Sequence, residues 1–216
     1  TADARIQSIK DYGSRDRIAM TDVKTTTWAI LLQMAAEKQF GWEERDKFEP
    51  ISVPMANGEA TAAMLSARTE VLSHMTMLPF SAAERETGKI RAILNSKDIL
   101  GGPYTATMAF TTQKFHDENP KIYRAIAAAY EKAAIFINEN PEKAAEIYQR
   151  HEPQKGGVAS IVKMMNRNGP DELYFTTTPH AVGVFAQFMN RTGMIKKKVG
   201  SWKDFFFENM HAKDGT

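Results

Sequence analysis

Three consecutive threonines form the feature of the sequence that most clearly suggests binding chemistry. Thr25 and Thr26 precede a run of strong helix formers, and Thr21 and Lys24 lie just before them. Hydroxyl groups and free backbone N–H groups at the start of a helix bind anions, and a lysine adds positive charge. We therefore predict an anion site in residues 21–27. The alternative is that one threonine caps the helix and the others lie at the surface.

Two further segments carry residues suited to ligand binding. Thr76, Pro79 and Phe80 follow an apolar stretch, and a hydroxyl beside an aromatic ring predicts a subsite for a small ligand with one polar and one apolar end. The alternative is a packed turn with Phe80 in the core. Gly101 and Gly102 either let the backbone approach a ligand or bend as a hinge, and we favour the hinge.

The sequence lacks the residue patterns typical of metal sites, nucleotide-binding loops, hydrolase nucleophiles and nucleic-acid sites. His74 lies in a predicted strand and is interpreted as a core or edge histidine with satisfied nitrogens. The other four histidines are scattered, with no pair at helical spacing, so we predict neither a metal nor a cofactor. The G-x-x-x-x-G-K-S/T, G-x-G-x-x-G and G-x-S-x-G motifs are absent. Residues 196–198 are a short lysine run, interpreted as a solvated loop rather than a nucleic-acid site.

Composition narrows the function classes further. The 216 residues carry 28 Lys and Arg against 26 Asp and Glu, so the formal net charge is +2. Such a balance gives no reason to expect nucleic acid or an anionic membrane as a partner. Cysteine is absent, which excludes disulfides, thiolate zinc sites, iron–sulfur clusters and a cysteine nucleophile. No apolar run approaches the ~20 residues that span a bilayer, so no membrane insertion is predicted.

Strands and helices alternate up to about residue 100, which predicts βαβ crossovers and a mostly parallel sheet. A longer strand is predicted next, and the rest of the chain has the periodicity of helices. The predicted strands are residues 17–20, 51–54, 71–75, 90–94 and 104–111. The predicted helices are residues 28–41, 59–68, 81–88, 121–138, 142–149, 158–166 and 180–191, with a short apolar turn at 202–207.

The second half of the chain has too few predicted strands to form a sheet against which its helices could pack. The amphipathic faces of residues 121–138 and 180–191 must bury against something. We therefore expect that a sheet-bearing segment precedes Thr1. The absence of an initiating methionine agrees with that expectation.

Five segments of the chain carry a family resemblance that runs from about Ser8 to about Phe207. They are LLQMAAE at residues 31–37, LGGP at 100–103, FHDENPKIY at 115–123, FIN at 136–138 with AAEIY at 144–148, and GSWKD at 200–204. In this order the segments resemble the nitrate/sulfonate/taurine-type solute-binding proteins of ABC importers.

The resemblance implies an α/β fold of the periplasmic-binding-protein-like type II class, with two lobes around a ligand cleft. On that scheme residues 1–103 form one complete α/β lobe, lobe two, and residues 104–216 supply the return strand and the mostly helical C-terminal part of lobe one. The N-terminal segment of lobe one would precede Thr1. The implied protein is a periplasmic solute receptor and not an enzyme. Its partners would be a small, anionic solute and the membrane permease of the importer.

Two alternatives share this fold class. One is the ligand-sensing effector domain of a LysR-type transcription regulator, which an upstream winged helix-turn-helix would indicate. The segments at residues 115–123 and 200–204 favour the importer over the regulator. The other is an enzyme similar to the synthases of a thiamine pyrimidine precursor. Those synthases use a cysteine-rich motif, and this sequence has no cysteine.

Overall fold

The computed structural model describes residues 1–66, 69–166 and 173–216. They divide into two compact units. The first unit comprises Thr1–Tyr104 with Gly183–Ser201, and the second comprises Thr105–Val182 with Trp202–Thr216. The predicted helix at residues 59–68 extends at its end into residues outside the described ranges.

A three-stranded parallel sheet lies at the centre of the first unit. Its strands are β1 (Arg17–Met20), β2 (Ser52–Pro54) and β3 (Val71–His74), in the order β2-β1-β3. Ala19 of β1 is in register with Val53 of β2 and with His74 of β3. The predicted strands at these three positions and their parallel arrangement are confirmed.

The helices of the first unit cover both faces of this sheet. They are α1 (Thr27–Phe40), α2 (Asn57–Ser66), α3 (Phe80–Glu86), α4 (Ser96–Leu100) and most of α9 (Val182–Arg191). Side chains alternate between the faces of a strand. Ile18 and Met20 therefore pack with α1, and Ala19 packs with Ala60 of α2 on the other face.

Both ends of α1 follow from the local sequence. The Thr26 hydroxyl accepts a hydrogen bond from the Ala29 N–H at 3.3 Å, as a helix cap does. The helix ends where the Gly41 N–H donates to the Glu37 carbonyl at 2.8 Å. Gly41 has φ of 96°, a left-handed conformation that glycine adopts without a steric penalty.

The predicted strands at residues 90–94 and 104–111 are wrong. Arg91 exchanges two backbone hydrogen bonds with Thr1, at 2.7 and 3.0 Å, but residues 90–94 do not form a continuous ladder. In the second segment the Thr105 N–H donates to the His180 carbonyl at 2.9 Å, and residues 106–110 are all exposed. A strand requires a partner along its length, and the described residues of the second unit contain no other strand.

An aromatic and cationic cluster attaches α9 to the rest of the first unit. The ring of Trp42 lies beneath the Arg191 guanidinium of α9 at 4.0 Å and beneath that of Arg45 at 4.4 Å. Phe188 packs edge-on against Trp42 with ring centroids 6.1 Å apart. Arg191 also donates to the Glu37 carboxylate at 2.6 Å.

Helices make up most of the second unit. They are α5 (Gln113–Glu118), α6 (Pro120–Glu139), α7 (Pro141–His151) and α8 (Gly157–Met164). The predictions of helices at residues 121–138, 142–149 and 158–166 are confirmed, with ends shifted by a few residues. Ala144 and Ala145 of α7 and Ile161 of α8 are buried, whereas α6 has no buried residue.

The apolar face of α6 is exposed. Ile122, Ile126 and Tyr130 are spaced four residues apart, and their exposed fractions are 53%, 44% and 55%. This spacing places the three side chains along one side of the helix. The imbalance between amphipathic helices and strands that the sequence indicates is therefore present in the described part of the second unit.

Candidate functional site

The carboxyl ends of the three parallel strands define the candidate site. The chain leaves β1 at Met20, β2 at Pro54 and β3 at His74, all at the same edge of the sheet. In open parallel sheets, small ligands bind beyond this edge. Residues 21–26 and 75–79 are the connections that leave β1 and β3 there, so two of the predicted ligand segments lie at one edge.

The Asp22 carboxylate organises the connection after β1. One of its oxygens, Oδ1, accepts from the Lys24 N–H at 2.9 Å, from the Thr25 N–H at 2.7 Å and from the Thr25 hydroxyl at 3.1 Å. The Thr26 hydroxyl donates to the Asp22 carbonyl at 2.7 Å and also caps α1. The hydroxyls of Thr25 and Thr26 are therefore already hydrogen-bonded within the loop, whereas Thr21 and Lys24 are exposed.

Sequence reasoning missed the role of Asp22. The N–H groups of Thr25 and Lys24 lower the pKa of its carboxyl, because they stabilise the ionised form. The Asp22 carboxylate thus accepts hydrogen bonds from two of the N–H groups that were predicted to bind an external anion. The signal was present, since an aspartate two or three residues before such donors favours a local turn. The anion site stays a prediction, and Asp22 is the group with which an anion would compete.

The connection after β3 holds Thr76, Pro79 and Phe80. Thr76 is half-buried and its hydroxyl lies 3.5 Å from the Met77 carbonyl. Pro79 is exposed, and its peptide bond with Leu78 is cis. Phe80 is half-buried at the start of α3, and a Cβ built on Gly58 would lie 3.8 Å from its ring. The ring thus packs beside the first turn of α2.

A buried polar cluster lies directly behind this connection. The side chain of His74 is 0% exposed and that of Glu84 is 4% exposed, and His74 Nδ1 lies 2.8 Å from Glu84 Oε1. His74 Nε2 lies 3.2 Å from Asn57 Oδ1. The interpretation of His74 as a core or edge histidine with satisfied nitrogens is confirmed: its side chain is buried and its strand lies at the edge of the sheet. Its partners Glu84 and Asn57 were missed, because they are 10 and 17 residues away in the chain.

Gly101 and Gly102 lie away from the threonine loop. Gly101 ends α4 in the left-handed conformation with φ of 78°, and its N–H donates to the Lys97 carbonyl at 2.8 Å. The Asp98 carbonyl of α4 accepts from Lys38 in the last turn of α1. Because α1 begins at the carboxyl edge, that turn is about 16 Å further along the helix. The structure therefore does not bring the two glycines next to residues 21–26.

A sequence model of one protein family, described as NMT1/THI5 like, matches residues 1–144, which is two thirds of the 216-residue chain. The chain belongs to the NMT1/THI5-like family. A comparison with curated proteins and another with solved structures each found no match. The family includes ABC solute-binding proteins and THI5 synthases, and the resemblance to the nitrate/sulfonate/taurine-type proteins is confirmed at the level of the family.

For this NMT1/THI5-like chain, the small parallel sheet and its helices are compatible with a periplasmic-binding-protein-like fold. Within the described ranges, no group of three His, Asp or Glu side chains is arranged to hold a metal ion. In the same ranges no helix combines the length and the apolar character needed to cross a bilayer.

The first unit also has a shallow cleft, open to solvent, between α1 and residues 45–52. Three of its polar side chains contact one another: Gln33 Nε2 donates to Asp46 Oδ1 at 2.8 Å, and Arg45 lies 3.3 Å from the same carboxylate. None of the predicted ligand residues lines this cleft.

Proposed function

We propose that this chain belongs to the solute receptor of an ABC importer, acts outside the cytoplasmic membrane and delivers a small anionic solute to a membrane permease. Membership of the NMT1/THI5-like family, which includes ABC solute-binding proteins, carries the proposal. The carboxyl edge of the sheet supports it, because two connections that carry threonine hydroxyls leave the sheet there.

The proposed mechanism is binding without chemistry. Lys24 is exposed, and the exposed loop around Thr25 offers N–H and hydroxyl donors that an anion can take over from Asp22. Thr76 offers a second hydroxyl, and Pro79 and Phe80 supply apolar surface at the same edge. Hinged closure on the bound solute, with Gly101 and Gly102 as the hinge, would give the protein a conformation that the permease recognises.

A thermal-shift screen tests the proposal directly. The panel contains taurine, ethanesulfonate, nitrate, bicarbonate, short carboxylates and thiamine-type pyrimidines. A ligand at ~100 times its Kd adds about 2.7 kcal/mol to the free energy of unfolding. For a chain of this size that corresponds to a rise in Tm of roughly 5–10 °C. A folded protein whose Tm responds to no member of the panel would contradict the proposal.

Variants then locate the site. Thr25→Ala and Thr76→Ala should reduce the shift caused by the active ligand, because each removes a hydroxyl at the carboxyl edge. Thr107→Ala, at an exposed position of the second unit, is the matched control and should leave the shift unchanged. Mass spectrometry of the recovered ligand completes the test, since a chemically altered ligand would favour an enzyme over a receptor.

A further inference from the structure

A buried contact between the side chains of His74 and Glu84 joins the two ends of the connection between β3 and α3. We propose that His74 and Glu84, together with Asn57, are positioning residues that fix residues 75–80 at the carboxyl edge of the sheet. The inference deepens the proposed function and rests on it, because it concerns the connection that carries Thr76, Pro79 and Phe80.

The imidazole of His74 joins three elements at once. His74 is the last residue of β3, and its register with Ala19 fixes it in the sheet. Its Nδ1 lies 2.8 Å from Glu84 of α3, and its Nε2 lies 3.2 Å from Asn57, the first residue of α2. Because an ionised carboxylate only accepts hydrogen bonds, this contact favours the form of the imidazole that carries a hydrogen on Nδ1.

Glu84 is held from two further directions. The Thr61 hydroxyl of α2 lies 2.7 Å from Glu84 Oε1, so the same carboxylate oxygen serves both His74 and α2. The Thr87 hydroxyl donates to the Glu84 carbonyl at 2.7 Å, just after the end of α3. The contacts with His74 and Thr61 satisfy the buried carboxyl of Glu84 and fix its position, and the position of α3 follows from it.

The burial pattern of α3 shows why the pair matters. Glu84 is the only fully buried residue among the seven of this helix, and the Phe80 ring is half-buried. A short helix normally docks through buried apolar side chains. Here the polar side chain of Glu84 takes that role, so loss of the His74–Glu84 contact releases α3 together with the loop that leads into it.

The loop itself is short and tied at both ends. The Met75 N–H continues the sheet by donating to the Ala19 carbonyl at 2.9 Å. At the other end the Ser81 N–H donates to the Met77 carbonyl at 2.9 Å, and the Ala83 N–H donates to the Pro79 carbonyl at 3.2 Å. The positions of Thr76 and Phe80 therefore depend directly on where β3 and α3 are held relative to each other.

Amide hydrogen exchange measured by mass spectrometry tests this role without any ligand. For Glu84→Ala we expect exchange of the amides in residues 75–86 to accelerate by about tenfold to a hundredfold, the loss expected for a charge-assisted buried hydrogen bond. Exchange in β1 and α1 should stay within about threefold of the wild-type rate. Glu84→Gln retains an acceptor for Nδ1 and should restore most of the protection.

Glu86→Ala is the matched control, because it removes the same type of charge from an exposed position of α3. His74→Gln should reproduce the local acceleration, and it provides a milder second variant if Glu84→Ala does not fold. Acceleration that is equal in residues 75–86 and in β1, or no larger than in Glu86→Ala, would overturn the inference. A flat ligand panel with local acceleration would instead contradict only the proposed function.

Discussion

Replacing Tyr12 with phenylalanine removes a phenol whose ionisation opposes folding. The Tyr12 ring packs against the main apolar cluster of the first unit, edge-on to Phe48 with ring centroids 5.8 Å apart. Removal from water raises the pKa of Tyr12 to about 12, because the low-dielectric surroundings disfavour the phenolate. A hydrogen bond with Ser73 acts in the opposite direction and is the smaller influence.

The direction of the pH effect follows from this shift. In the unfolded chain the phenol ionises near pH 10, two units below its pKa in the folded protein. The native state therefore keeps a proton that the unfolded state has released, and the stabilisation, which is fully present below pH 10, declines as the pH rises to about 12. Two units correspond to roughly 3 kcal/mol in total, about half of it lost by pH 11.

Urea titrations at 25 °C, at pH 9 and pH 11, measure this effect for the wild type and for Tyr12→Phe. Between these pH values the free energy of unfolding of the wild type should fall by about 1–2 kcal/mol more than that of the variant. All other titrating groups are common to both chains and cancel in the difference. Tyr130→Phe controls for the removal of a phenol at an exposed position. A difference that stays constant to within about 0.5 kcal/mol would refute the argument from burial.

Three further substitutions test the packing of the first unit. Met20→Ala removes a fully buried side chain beneath α1, and urea titration should show a loss of about 2–5 kcal/mol. Trp42→Leu removes the ring that two guanidinium groups cover, and we expect a loss of about 1–3 kcal/mol; a change below about 0.5 kcal/mol would contradict a stabilising role for the cluster. Thr26→Ala removes the cap of α1 and should cost about 1 kcal/mol in thermal unfolding, whereas Thr26→Ser should retain most of the stability.

The sequence predicted most reliably those elements whose signals are local. A threonine cap and a terminal glycine marked α1, and helical periodicity after a proline marked α6, because caps and periodicity act within a few residues. The β-branched alternation of residues 104–111 is also a local signal, but it failed. A strand forms only if another strand is available to pair with it, and that condition depends on the rest of the fold.

At the candidate site, too, some features follow from local sequence and others depend on the rest of the fold. The residue types at the carboxyl edge, such as Thr25 and Thr76, could be selected from the sequence because the order of strands and helices places both connections there. The control of those connections by Asp22 and by the His74–Glu84 pair came only from the structure. Hydrogen bonds form only at distances of about 3 Å. The structure is therefore needed to show which N–H group donates to Asp22 and which carboxyl faces the buried imidazole of His74.

Sequence alone therefore determined the βαβ order, the positions of the main helices to within a few residues and the family resemblance, because these are properties of residue order and spacing. Tertiary structure decided which predicted strands found partners, which apolar helix faces were covered and which polar groups were already hydrogen-bonded. Each of these outcomes brings together residues far apart in the chain, as Glu84 joins Thr61 across 23 positions. The strength of such contacts depends on the burial and geometry that folding creates.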